Sequence, residues 1–91
     1  MKSQKLGDYL RSLRETEGYS TWALAERAEC SQSLISAIEN GERFPHLLRL
    51  WEILKILDGD FRQGLYYLCV DLGIPESDVE GILPEEMDEN S

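Results

Sequence analysis

One histidine, two cysteines and three prolines are spread through a chain of 91 residues, and each scarcity removes a class of protein. Cys30 and Cys69 lie far apart, with no CxxC pair and no histidine cluster, so neither a zinc site nor a disulfide framework is indicated. Both are expected as buried free thiols. His46 is the sole histidine, and the nearest acids, Glu39 and Glu42, stand in no arrangement with a nucleophile or a metal partner. An enzyme would have nothing to work with, and no cofactor is implied. No apolar run is long enough to cross a bilayer and no Lys-plus-apolar leader opens the chain, so no membrane role is expected and the cytoplasm is the default compartment. β-strand alternation, internal repeats and low-complexity linkers are also missing, which leaves one all-α core.

Positive charge is the other deficit, because nine Lys and Arg face eighteen Asp and Glu for a net charge of −9. A basic surface, the usual electrostatic signature of nucleic-acid binding, is therefore absent from the chain as a whole. The imbalance is local. Residues 1–55 hold eight basic and eight acidic side chains, whereas residues 56–91 hold Arg62 alone against ten acids. A neutral front is joined to an acidic back, and the plain reading of that acidity is solubility.

What is present is helical periodicity. Leu6, Tyr9, Leu10 and Leu13 predict a first helix over 3–17, with Gly18 at its C-terminal cap. Ser20 can cap a second helix carrying Leu24, Ala25 and Ala28, and Ser31 a third that runs to Asn40 before Gly41. Two short helices joined by a three-residue turn have the spacing of a helix-turn-helix unit, here over 21–40. Pro45 fits the first position of a fourth helix whose Leu47, Leu50, Trp51, Leu54 and Leu57 face inward. Asp60 with Gln63 resembles a capping box and opens a fifth helix that ends near Gly73; Pro75 starts a short sixth. The segment 85–91, with four acids and one apolar residue, is expected to be disordered.

At 100° per residue Gln32, Ser36, Asn40, Ser33 and Ala37 share an arc of roughly 140° on the third helix, with Leu34, Ile35 and Ile38 opposite. Such a face can be the ordinary outside of an amphipathic helix. It can also be a surface for base edges, since Gln and Asn pair donor and acceptor atoms with adenine and Ser bonds several bases. The arc itself holds no Lys or Arg, and no carboxylate except Glu39 at its edge.

Leu10-Arg11, Leu13-Arg14, Gly18-Tyr19-Ser20, Leu24-Ala25-Glu26-Arg27-Ala28, Ser31 to Gly41, Arg43, Pro45, Leu47, Leu50, Ile53 and Leu57 follow one another in a known order. Over about residues 5–65 the chain resembles the lambda-repressor and Cro type of helix-turn-helix regulators, the XRE family. The docking geometry of lambda repressor and Cro is a general one. The resemblance implies a lambda-repressor-like five-helix domain with a C-terminal helical extension, and a third helix that enters the major groove of double-stranded DNA. It implies base reading by Gln32, Ser33, Ser36 and Ala37, and phosphate contacts from Thr21, Asn40 and Arg43. It further implies a structural salt bridge between Arg14 and Glu39. Thr21 stands where many relatives carry a bracing Gln, and Glu29 and Cys30 replace the usual Gly and small aliphatic of the turn.

On this reading 1–58 is the DNA-binding domain, 59–83 the extension and 84–91 an acidic tail. Trp22 and Leu48 stand where the family pattern is usually polar and exposed, and Trp51 is larger than the aliphatic usual at its place, so a cover for them is expected. The segment 61–83 is itself richer in apolar side chains than two short helices can bury on each other. Its Phe61, Leu65, Tyr66, Leu68, Cys69 and Leu72 either fold back on the domain or pair with a second copy, and a homodimeric repressor is the economical outcome. The alternative is a protein-interaction module of antitoxin-like or accessory type, which keeps the fold and holds a protein partner.

Overall fold

The computed structural model describes residues 4–82, and the tail expected beyond 84 lies outside the described residues. The described residues form six α-helices and no strand: α1 (Lys5–Thr16), α2 (Thr21–Ala28), α3 (Gln32–Glu39), α4 (Leu47–Ile56), α5 (Phe61–Asp71) and α6 (Glu76–Val79), with a 3-10 turn over Glu80–Ile82. The architecture is all-α and lambda-repressor-like.

Short polar side chains start these helices by satisfying amides that have no intrahelical partner. Ser20 Oγ accepts from Ala23 N at 3.0 Å and Ser31 Oγ from Leu34 N at 3.1 Å. Asp60 Oδ1 accepts from the amides of Arg62 and Gln63. The reciprocal half of that box is made differently than Gln63 suggested: Tyr9 Oη accepts from Asp60 N at 3.0 Å, and Gln63 donates instead to Tyr67 Oη.

The fourth helix departs from expectation in two ways. Pro45 is buried one residue before the cap, and His46 is the N-cap, its Nδ1 accepting from Arg49 N at 3.2 Å. The inward stripe is Leu50, Ile53, Leu54 and Leu57, whereas Leu47 and Trp51 are 56% and 44% exposed. Helix α4 is apolar on two sides, so its periodicity does not choose between them.

Leu6 and Leu10 from α1, Leu24, Ala25 and Ala28 from α2, Ile35 and Ile38 from α3, and the α4 stripe close one core. Helix α5 joins it by folding back on α1 and α4. Leu68 is buried, Phe61 and Tyr67 pack against the core, and the Tyr67 ring meets Tyr9 edge-on with centroids 5.3 Å apart. Gly64 permits the close α4 approach, since a Cβ there would lie 2.6 Å from Leu54 Cδ1.

Asp71 at the end of α5 supplies the cap that α1 lacks. No side chain of Gln4 caps α1; Asp71 Oδ1 accepts from Lys5 N at 3.1 Å and Oδ2 from Leu6 N at 2.9 Å. A carboxylate beside the positive end of the helix dipole adds to that bond. Leu65, Tyr66 and Cys69 are half-buried, as is Cys30, and both thiols are free; Leu72 is 54% exposed. This fold-back leaves Trp22, Leu48 and Trp51 uncovered at 72%, 59% and 44%.

Candidate nucleic-acid interface

Helices α2 and α3 pack on each other across a turn that opens at Glu29, whose φ of 57° is left-handed. A glycine would take that conformation without the steric cost that a side chain incurs, on the order of 1–2 kcal/mol. The turn is held by Cys30 N donating to Ala25 O at 3.0 Å and by Arg49 Nη1 donating to Ala28 O at 2.7 Å. Cys30 fits the half-buried place of an aliphatic residue against the core.

Ile35 and Ile38 anchor α3 in the core, and the opposite arc is turned out. Ser33 and Asn40 are exposed, and Gln32, Ser36 and Ala37 are half-exposed. The arc is prearranged: Gln32 Nε2 donates to Thr21 Oγ1 and to Ser36 Oγ, each at 3.0 Å. Thr21 thus braces Gln32 from the first turn of α2. No hydrogen bond among the described residues engages Gln32 Oε1, nor the backbone amides of Thr21 and Trp22 at the start of α2.

The acid at the edge of this arc, Glu39, is turned into the protein. Glu39 is 3% exposed; Arg14 Nε donates to its Oε2 at 2.7 Å, Arg14 Nη2 to its Oε1 at 3.0 Å and Arg11 Nε to its Oε1 at 3.3 Å. The hydrogen bond to Glu39 raises the Arg14 pKa above its ordinary value, against the opposing effect of burial. Arg14 Nη1 also donates to Tyr19 O at 2.8 Å, so a single guanidinium ties α1, the α1–α2 loop and α3 together. Gly7 lets α1 lie on the end of α3, where a Cβ would come within 2.4 Å of Glu39 O.

Arg11 is the participant that sequence reasoning overlooked. Its Nη2 donates to Asn40 Oδ1 at 2.8 Å, which leaves the Asn40 amide group as an outward donor at the end of α3. Its signal was present as Arg11 stands three residues before Arg14, on the same face of α1. Arg27 is occupied with Tyr19, donating to its hydroxyl at 2.9 Å and lying over its ring. Arg43 is exposed after α3 and forms no ion pair among the described residues.

Among the described residues no group of three or more His, Cys, Asp and Glu could hold a metal ion. No described helix is long and apolar enough to cross a membrane.

Two short helices at a tight turn, the second anchored by isoleucines and presenting amides and hydroxyls outward, define a helix-turn-helix, the unit used by DNA-binding regulators. The family profile described as a helix-turn-helix domain matches residues 5–60, and the chain belongs to that family. A search of characterised proteins gave no match.

Proposed function

We propose that this protein is a sequence-specific transcriptional regulator of the lambda-repressor and Cro type, a homodimeric repressor that occupies its promoter by placing α3 in the major groove. The observation that carries this reading is the α3 arc: the carboxylate at its edge, Glu39, is neutralised inside the fold, and its Gln32 is held in place by Thr21 and Ser36. A fixed carboxamide loses little conformational freedom on meeting a base, which favours binding. Gln32 is the principal reader, Ser33 and Ser36 supply hydroxyls, and Ala37 offers its methyl group to thymine. Asn40, Arg43 and the open amides at Thr21 grip phosphate beside the groove. Residues 1–58 supply all of these groups, and 59–83 brace them through α5.

Selection of bound sequences from random duplexes, followed by binding assays on the recovered site and on a scrambled one, tests the reading. Replacing Gln32 with Ala lowers discrimination between them by about 1–3 kcal/mol per lost base contact. An unchanged ratio rules Gln32 out as a reader. Failure to enrich any duplex at low salt rules out the whole proposal.

A further inference from the structure

We propose that Phe44, Leu47, Leu48 and Trp51 form the face on which two copies of this chain pair. These residues stand at i, i+3, i+4 and i+7 and are 41%, 56%, 59% and 44% exposed. Helical spacing gathers Leu47, Leu48 and Trp51 on one side of α4, away from the buried stripe at Leu50, Ile53, Leu54 and Leu57, and Phe44 stands in the extended segment that leads into the helix at His46. Single exposed apolar residues are ordinary, but these four, within eight residues of chain, leave roughly 400 Å² of apolar surface, a size at which a patch on a monomer is often functional. The other exposed apolar groups are smaller: Trp22 stands alone on α2, and Leu72 and Ile74 form a pair at the far end of α5.

The area suits a second copy. With about 60% of an interface apolar, roughly 400 Å² implies about 650 Å² per copy and about 1,300 Å² in total, within the range of specific complexes. The charges suit it as well. Glu42 and Arg43 precede the stripe and Glu52 and Lys55 follow it, so both ends carry both signs. In an antiparallel twofold pair centred on Leu48, Lys55 approaches Glu42 of the other copy, while Glu52 stays with Arg49 of its own chain at 3.6 Å and Arg43 is left for phosphate. Lys55 already covers one side of Trp51, with Nζ 4.8 Å from the ring centroid, and closes the rim there.

This arrangement rests on the DNA-binding reading for its purpose. Each copy measures 38 × 27 × 21 Å, so two in contact have centres on the order of 30 Å apart, close to the ~34 Å that separates successive major-groove faces.

Sedimentation equilibrium on the full chain, without DNA, is the test. The expected mass is twice the 10.5 kDa of one chain, returning to 10.5 kDa in Leu48→Glu with an unchanged circular-dichroism spectrum, while Leu72→Glu remains a dimer. A paired Leu47→Ser, Leu48→Ser variant gives the same monomer should the Leu48→Glu protein fail to fold. A wild-type monomer at concentrations up to about 100 µM overturns the proposal. So does a dimer that survives both stripe variants or one that only Leu72→Glu dissociates. Because no DNA is present, a dimer that binds no duplex sustains this interface and sinks only the DNA-binding reading.

Discussion

Glu39 is the most consequential single side chain for the geometry of α3, and its replacement by Ala gives a measurable cost. The carboxylate is 4% exposed and its main partner Arg14 is 13% exposed, so the mutation leaves a guanidinium without its counter-charge in a place that water barely reaches. Breaking such a pair costs about 3–5 kcal/mol. Arg11 is 41% exposed and rehydrates, adding less than about 1 kcal/mol. Arg14 keeps its bond to Tyr19 O, which favours the lower end, about 3 kcal/mol. Against a total stability of about 5–10 kcal/mol for a chain of this size, the variant folds but melts early. In urea titrations followed by circular dichroism, with a slope of about 1 kcal/mol per molar, the midpoint falls by about 3 M and the slope is unchanged. Replacing both partners with apolar residues, Arg14→Met with Glu39→Leu, restores most of the loss, because no buried charge is left over. A loss below about 1 kcal/mol for Glu39→Ala, or a double variant no better than the single one, refutes the reasoning.

Glu29→Gly relieves the left-handed backbone of the turn and raises stability by about 1 kcal/mol, read as a higher thermal midpoint; a lower midpoint contradicts the assigned conformation. Asp71→Ala removes the cap on α1 and costs about 1 kcal/mol, with faster amide hydrogen exchange confined to the first turn of α1 as the local signature. Burial raises the Tyr9 pKa, because the phenolate would lose its water. The unfolded phenol ionises first, so the stability that Tyr9 contributes is fully present below about pH 10 and is lost as pH rises through its folded pKa. Urea midpoints measured from pH 8 to pH 11 should therefore fall more steeply in the wild type than in Tyr9→Phe, and equal slopes dismiss the effect.

Much of this fold is legible from local rules. Ser20, Ser31 and Asp60 mark helix starts because a short oxygen next to an apolar periodic run has few other uses, and each one caps in the structure. The outward arc of α3 follows from the opposing Leu34, Ile35 and Ile38 by simple geometry. The missed features are those where distant residues decide. Asp71 caps a helix 65 residues away, and no local pattern around either partner announces it. The sequence pattern turns Leu47 and Trp51 inward because α4 is apolar on two sides, and only the packing of α2 and α5 against it selects the Ile53 side. Trp22, Leu48 and Trp51 invite a cover, but α5 is committed to α1 and α4 by the Tyr9–Tyr67 contact and the Asp71 cap. Gln32 and Thr21 could each be judged alone from the sequence, whereas their bond depends on the angle between α2 and α3.

Nitrogen-15 chemical-shift mapping of the full chain, titrated at low salt with a duplex recovered by selection, tests most directly whether the α3 arc is the DNA-binding surface. The account predicts that the largest changes fall on the backbone amides of Gln32, Ser33, Ser36 and Ala37 and on the Gln32 side chain, with smaller ones at Thr21, Asn40 and Arg43. Changes confined to α5 and the exposed side of α4, with the α3 amides still, would contradict it.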